Sequence, residues 1–263
     1  MRRNLIYIVA IDDPNSKFQN HDYAQYSVKS WEYYCKKNDI DLYVLRETVL
    51  DAAYKPIWNK ELIQLFGQGY EKIGIVDSDT MVRWDAPNIF EITEQGGFYG
   101  VNDLCDLNWL FESINSRQKF FPDVRMNISK YINAGVIFFS EKHLYLFKDL
   151  LSFYTANKEE IDAIQGGGKE QTLLNFILQK NKVDIELLDP SWNLFSIHRK
   201  NMFTNNWQLH PEFKGMCHHD EPNSYPHFMK YANIWHFTGF PIEERVRVMS
   251  TVWDLTKGRY ELL

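Results

Sequence analysis

An α/β fold with a mixed, mostly parallel sheet flanked by helices is predicted here on three observations. Short apolar runs alternate along the chain with longer stretches of helical spacing. The third of these runs, Ile73 to Val76, breaks abruptly into Asp77-Ser78-Asp79, and open α/β sheets bind ligands beyond the carboxyl ends of their strands. The first strand is not followed by G-x-G-x-x-G, and G-x-x-x-x-G-K-[ST] occurs nowhere, which argues against the dinucleotide-binding and P-loop versions of such a sheet.

Taken in order, the first strand is Asn4 to Ile11, ending in a turn at Asp12-Asp13-Pro14-Asn15. Ala24, Val28, Trp31 and Cys35 recur on one face and predict a helix from about Asp22. Asp41 to Leu45 is the second strand. Pro56 opens another helix, with Trp58, Leu62, Leu65 and Phe66 as its buried stripe and Gly67-Gln68-Gly69 as its stop. The third strand delivers Asp77, and an apolar pair, Met81-Val82, follows. Three strands joined by two helices make a β-α-β-α-β unit, hence parallel pairing with right-handed crossovers.

Phe98 to Val101 is the next strand and leads into Asn102-Asp103. Tyr131 to Phe139 is another, and the small residues of Asn133-Ala134-Gly135 at its start let a ligand approach the backbone. Ser140 reads as an N-cap ahead of a helix whose stripe is Leu144, Phe147, Leu151 and Tyr154. Gly166-Gly167-Gly168 precedes a helix from about Lys169; glycines there either seat an anion or simply connect. Asp184 to Leu188 and Asn233 to Phe237 are the last strands, and Arg245 to Leu255 is a closing helix. No repeat or linker divides the chain, so one domain spanning residues 1–263 is expected.

Composition narrows the function classes. A net charge of -6 argues against a general nucleic-acid binder, whose affinity rests on a basic face. Cys35, Cys105 and Cys217 are too few and too scattered for a disulfide framework and favour a reducing compartment. Arg2-Arg3 precede an apolar run, but Leu5 to Ile11 is short for a signal core, lacks a small-residue cleavage site and runs into Asp12-Asp13. No stretch approaches the roughly 20 apolar residues of a membrane span. The expectation is a cytoplasmic protein without a transmembrane segment. Aromatic residues, at 16%, are expected mostly in the core, although such rings also stack on sugars.

A turn at Asp77-Ser78-Asp79 brings two carboxylates to one small cation, and these are the hard oxygen ligands that Mg²⁺ and Mn²⁺ take. Alone, the same residues also fit a turn in which the carboxylates only satisfy backbone donors. Cys217-His218-His219-Asp220, with His210 and His227 nearby, is a second collection of ligand types. It lacks the spacings of zinc motifs and reads as a polar loop near an acceptor.

Asp77-Ser78-Asp79, Asn133-Ala134-Gly135, Glu170-Gln171-Thr172-Leu173-Leu174-Asn175 and His236-Phe237-Thr238-Gly239, in this order and with Trp192-Asn193, resemble the retaining glycosyltransferases of family 8. That family includes glycogenin and bacterial lipopolysaccharide glucosyl- and galactosyltransferases. The resemblance implies the GT-A nucleotide-diphospho-sugar transferase fold. It implies transfer of a sugar, with retention, from a nucleotide diphosphate donor, usually UDP-linked, to a glycan, lipid-linked or protein acceptor. It also implies Asp77, Asp79 and His236 as ligands of Mn²⁺, with Mg²⁺ as the alternative ion. Asp103 and Asn133 would contact donor sugar hydroxyls, and Gln171, with Glu170 beside it, would lie near the anomeric carbon. Lys60 would face the donor, Tyr23 would stack on uracil, and Gly135 and Gly239 would lie against the donor.

Glu170 stands where the family most often has Asp, and Thr172 where a second Asp is common. The family's lysine after H-x-x-G is replaced here by Phe240-Pro241-Ile242-Glu243, so another cation must meet the diphosphate charge. Arg245 and Arg247 are nearest; two residues apart, they point in different directions on a helix, and Arg245 is closer to the turn. Two other functions compete. One is a nucleotide-sugar or carbohydrate-binding protein of the same fold without turnover. The other is a haloacid dehalogenase-type phosphatase, whose motif wants its Thr two residues after the second Asp, whereas Thr80 follows Asp79 directly.

Overall fold

The computed structural model describes residues 3–12, 21–94, 96–104, 106–195 and 231–261. Residues 13–15 of the first expected turn, Cys105, and the Cys217–Asp220 cluster with His210 and His227 lie outside the described residues.

The main sheet has six strands: β1 (Leu5–Val9), β2 (Asp41–Leu45), β3 (Lys72–Asp77), β5 (Phe98–Asn102), β6 (Ile132–Ser140) and β7 (Ile185–Leu187). Their order is β2-β1-β3-β6-β5-β7. The first three are mutually parallel, β5 is parallel to β7, and β6 alone runs against both its neighbours. Between β3 and β5 lies β4 (Thr80–Val82), which joins β8 (Leu194–Phe195) and β9 (Ile234–His236) in a small second sheet of order β4-β9-β8.

Both faces of the main sheet are covered, which is why its strands are nearly continuous apolar runs. Leu5 and Tyr7 of β1 enter one core, and Ile6 and Ile8 enter the other. The shorter or peripheral helices are α3 (Ile89–Ile92), α4 (Leu107–Arg117) and α6 (Lys158–Ala163). On the first face pack α5 (Leu144–Ala156), through Leu146, Phe147 and Leu150, and α7 (Lys169–Lys180), through Leu173 and Phe176. On the second face pack α1 (His21–Lys37), through Trp31 and Tyr34, and α8 (Ile242–Tyr260), through Met249 and Val252. Among the described residues no helix is long and apolar enough to cross a membrane.

Three local expectations change. The segment opened by Pro56 is a 3-10 turn over Pro56–Leu62, followed by only a short helix, α2 (Ile63–Phe66). A 3-10 stretch has three residues per turn, so the stripe drawn at α-helical spacing slips. Leu65 is therefore 57% exposed, while Lys60 and Glu61 turn inward. Ser140 occupies the N-cap position of the 3-10 turn Glu141–His143, yet its hydroxyl faces His143 Nδ1 at 3.4 Å and caps no backbone amide. The closing helix, α8, is longer at both ends than the Arg245–Leu255 spacing predicted.

His143 carries a stability prediction. Its ring is buried edge-on against Phe98, with centroids 5.5 Å apart. Burial, and then the neighbouring Lys142, pull its pKa from 6.5 down to about 4. A depressed folded-state pKa means stability that is present above pH 6.5 and lost as pH falls towards 4. At about 1.4 kcal/mol per unit the loss is about 3 kcal/mol. His143→Phe is expected to narrow the gap between melting temperatures taken above pH 6.5 and near pH 4; an unchanged gap contradicts this.

Candidate active site

Several strand ends open on one edge of the main sheet. β3 ends at Asp77, and β5 runs out through Asn102 to Asp103. Because β6 is antiparallel to both, its beginning, Asn133 to Gly135, lies at that same edge. The first turn of α7 adds Glu170 and Gln171. β4 pairs antiparallel with β9, Thr80 opposite His236, and the Phe237 amide donates to the Asp79 carbonyl at 2.9 Å. These pairings hold His236 against Asp79. The result is a cleft of about 520 Å³ whose lining includes Asp77, Asp103, Asn133, Gly135, Gln171 and His236.

Asp77, Asp79 and His236 each offer a ligand atom, all within 4.8 Å of one another. His236 Nε2 lies 3.2 Å from Asp79 Oδ1 and 3.9 Å from Asp77 Oδ2. The opposite carboxylate oxygens are held by cations. Lys60 Nζ is 2.6 Å from Asp77 Oδ1, and Arg245 Nη1 is 3.2 Å from Asp79 Oδ2. Each carboxylate thus has one oxygen anchored and the other facing the imidazole.

Two features of this group fit a divalent cation. His236 Nε2 is buried beside the Asp79 and Asp77 carboxylates without a well-formed hydrogen bond to either, and a cation among the three would satisfy them together. Gly135 supplies the second: a Cβ there would collide with His236 Cε1 and lie 2.7 Å from Asp77 Oδ2. Glycine leaves open the space that any side chain would fill. Among the described residues no other three His, Cys, Asp or Glu side chains gather in this way.

Charge in this region is finely opposed. Burial alone would raise the Asp79 pKa, but His236, Arg245 and Lys60 hold it well below the usual carboxylate range. Burial would strip the proton from Lys60, yet Asp77 and Glu170, the latter 3.7 Å away, keep it charged with a pKa above the ordinary lysine value. Glu170 is pushed up to about 7 by burial, with Lys60 pulling down and Asp77 pushing up. Glu61 is fully buried with no hydrogen-bond partner on either oxygen, and burial together with Glu170 raises its pKa well above the ordinary value, with Lys60 pulling the other way.

A polar network continues from the cation group across the cleft. Asn133 Nδ2 donates to Asp103 Oδ2 at 3.1 Å and to Gln171 Oε1 at 3.0 Å. Gln171 Nε2 donates back to Asp103 Oδ2 at 3.0 Å, and the Ala134 amide donates to Gln171 Oε1 at 3.2 Å. Asn193 donates to Asn133 Oδ1 at 3.1 Å, and its own Oδ1 accepts from His236 Nδ1 at 2.9 Å.

The structure therefore gathers ten of the sequence-selected residues: Asp77, Asp79, His236, Lys60, Glu170, Gln171, Asp103, Asn133, Gly135 and Arg245. Tyr23 sits beside them, almost fully buried, with the Arg245 guanidinium 5.1 Å from its ring centroid. Gly239 lines the cleft with φ +81, a conformation that favours glycine. Arg247 is not part of the group; its side chain is 71% exposed and lies 3.7 Å from Glu244. Sequence reasoning passed over Glu61, which only the 3-10 turn buries, and gave Asn193 no role beyond the Trp192-Asn193 pair.

No protein-family model matches the sequence, and no curated protein matches it. Solved structures do resemble it. A glycosyltransferase involved in the glycosylation of the major capsid of PBCV-1 superposes with a TM-score of 0.58 at 16% identity, over 94% of this chain and 98% of that one. The bifunctional glycosyltransferase WbbM matches at 0.56 and 14% identity, over all of this chain and 52% of its own. The galactosyltransferase LgtC, in complex with donor and acceptor sugar analogues, matches at 0.50 and 13% identity, over 97% and 99%. Likeness at such identities speaks for the backbone arrangement, and the chain has the GT-A glycosyltransferase fold.

Proposed function

We propose that this protein transfers a sugar from a UDP-linked donor to an acceptor, with a divalent cation and with retention of anomeric configuration. The observation that carries this reading is the Asp77–Asp79–His236 group, flanked by Lys60 and Arg245 and joined to Asp103, Asn133 and Gln171 in one cleft. Two carboxylates face two fixed cations, so a divalent ion leaves net positive charge to meet a nucleoside diphosphate. Carboxylate oxygens with an imidazole nitrogen suit Mn²⁺ at least as well as Mg²⁺. When bound, the ion would act as a Lewis acid on the leaving diphosphate.

The residues of the chain do the rest. Arg245, pinned by Asp79, by the Phe240 carbonyl and by the ring of Tyr23, brings a guanidinium to the leaving phosphates in place of the family's lysine. Arginine can bind phosphate oxygens through a bidentate fork. Asp103 and Asn133 bind sugar hydroxyls, and Gln171, held by both, orients its amide beside the reacting carbon. Retention rests on the likeness of the motif order.

Arg245→Ala is expected to weaken UDP binding at saturating Mn²⁺ by about tenfold or more, the scale of a hydrogen bond to a charged group. Arg247→Ala should leave it unchanged, and equal affinities in both variants remove Arg245 from the diphosphate. Gln171→Ala should lower kcat far more than it weakens donor binding, as an interaction made mainly in the transition state would; unchanged kcat makes Gln171 a purely structural residue.

The proposal itself is tested by supplying UDP-glucose and UDP-galactose with Mn²⁺. UDP release and, by NMR, the anomer of the sugar first set free are followed. UDP release dependent on the ion and an α-anomer from the α-linked donor support it. Tight UDP binding with no release from either donor favours a binding protein of the same fold.

A further inference from the structure

We infer that Asn193 is a positioning residue that fixes the proton of His236 on Nδ1, keeping the Nε2 lone pair turned to Asp77 and Asp79. Its purpose rests on the cation reading above; the hydrogen-bond logic does not.

The chain of bonds begins at a group whose polarity admits no choice. The Gly135 backbone amide can only donate, and it does so to Asn133 Oδ1 at 2.8 Å. The other end of Asn133 then presents Nδ2 to the Asp103 carboxylate, which can only accept when ionised. Asn193 meets that same Asn133 Oδ1 at 3.1 Å, so the atom it offers there is Nδ2. Asn193 Oδ1 is thereby turned to His236 Nδ1 at 2.9 Å. A carbonyl oxygen only accepts, so the imidazole proton sits on Nδ1. In the neutral ring the lone pair then belongs to Nε2, the buried atom left without a hydrogen-bond partner.

Asn193 is 0% exposed, so bulk solvent does not reach either end of its amide. A backbone amide on β6 thus dictates, through two asparagines, which nitrogen His236 presents. The same Asn133 donates to Gln171 Oε1, so a displacement at either end of the network is felt at the other. Outer hydrogen bonds of this kind set the tautomer and aim of a metal-binding histidine, and losing one typically weakens metal affinity by about 10–100-fold.

The test uses the full chain with Asn193→Leu, which removes both bonds at similar size, and Asn193→Asp, which keeps an acceptor on Nδ1. The first readout is ¹⁵N NMR of His236 without metal, at a pH above the range in which histidine titrates. The second is the Mn²⁺ dissociation constant from EPR. The unsubstituted protein and Asn193→Asp should show the Nδ1–H tautomer. Asn193→Leu should lose that preference and bind Mn²⁺ about 10–100-fold more weakly than the unsubstituted protein.

An Nε2–H tautomer in the unsubstituted protein overturns the inference. So does an unaltered His236 spectrum in Asn193→Leu, or a loss of the tautomer in Asn193→Asp equal to that in Asn193→Leu. If Asn193→Leu does not fold, the unsubstituted protein and Asn193→Asp still decide the question. If the unsubstituted protein binds no Mn²⁺, the cation reading fails, while the tautomer measurement still judges Asn193.

Discussion

Gly135→Ala is expected to weaken Mn²⁺-dependent UDP binding severely while leaving the fold in place. The added methyl would collide with His236 Cε1, lie 2.7 Å from Asp77 Oδ2 and 3.0 Å from Asn133 Oδ1. β6 cannot withdraw, because it is hydrogen-bonded to β3 on one side and β5 on the other. Either His236 swings away and breaks its bond to Asn193, or Asp77 turns and loses Lys60. Both outcomes spread the three ligand atoms. Gly135 is not among the positive-φ residues, so alanine meets no backbone strain, and overpacking costs about 1–3 kcal/mol. Calorimetry of UDP with Mn²⁺ should show a loss of about 100-fold, the upper end of outer-contact effects on metal affinity, or more. Unchanged affinity would place the cation elsewhere.

Lys60→Met should produce the largest change in stability. The substitution keeps a long apolar stem but removes the ammonium 2.6 Å from Asp77 and 3.7 Å from Glu170. Leaving buried charge without its partner costs about 3–5 kcal/mol. The loss has a pH signature. Burial already pushes Glu170 up to about 7, and Lys60 is what pulls it down; without it the pKa rises further. A raised folded-state pKa gives stability that is complete below the unfolded value and lost as pH rises through the folded one. The deficit of Lys60→Met relative to the unsubstituted protein should therefore be larger above pH 7 than near pH 4.5, where only the loss of the Asp77 pair is felt. Urea titrations at the two ends of that range check it, and a deficit independent of pH would mean that Glu170 does not sense Lys60.

Parts of this site were legible because chemistry and strand ends coincide in the sequence. Asp77 and Asp103 each follow an apolar run, and Gly135 follows the start of another, so the rule that ligands gather at strand ends selects them without coordinates. Arg245 was legible from a deficit, the absence of a lysine after Gly239, more than from any signal of its own. What stayed hidden depends on pairings between distant segments. That β6 reverses direction, and so brings Asn133 to the same edge as Asp77, is not encoded in its apolar run. The ladder of β4 with β9 unites Asp79 with His236 across more than half of the chain's length. Lys60 and Glu61 look like solvated residues at α-helical spacing and become buried because Pro56–Leu62 winds as a 3-10 turn. The part played by Asn193 follows only from which atom each amide turns to its neighbour.

On the function proposed above, Asp77, Asp79 and His236 hold the divalent ion on which the diphosphate rests. Crystals soaked with Mn²⁺ and UDP, with anomalous data collected at the manganese edge, test it most directly. An anomalous peak enclosed by those three side chains is expected, and it should be lost in Asp79→Ala crystals treated in the same way. Ordered UDP in the cleft with no peak among Asp77, Asp79 and His236 would contradict it.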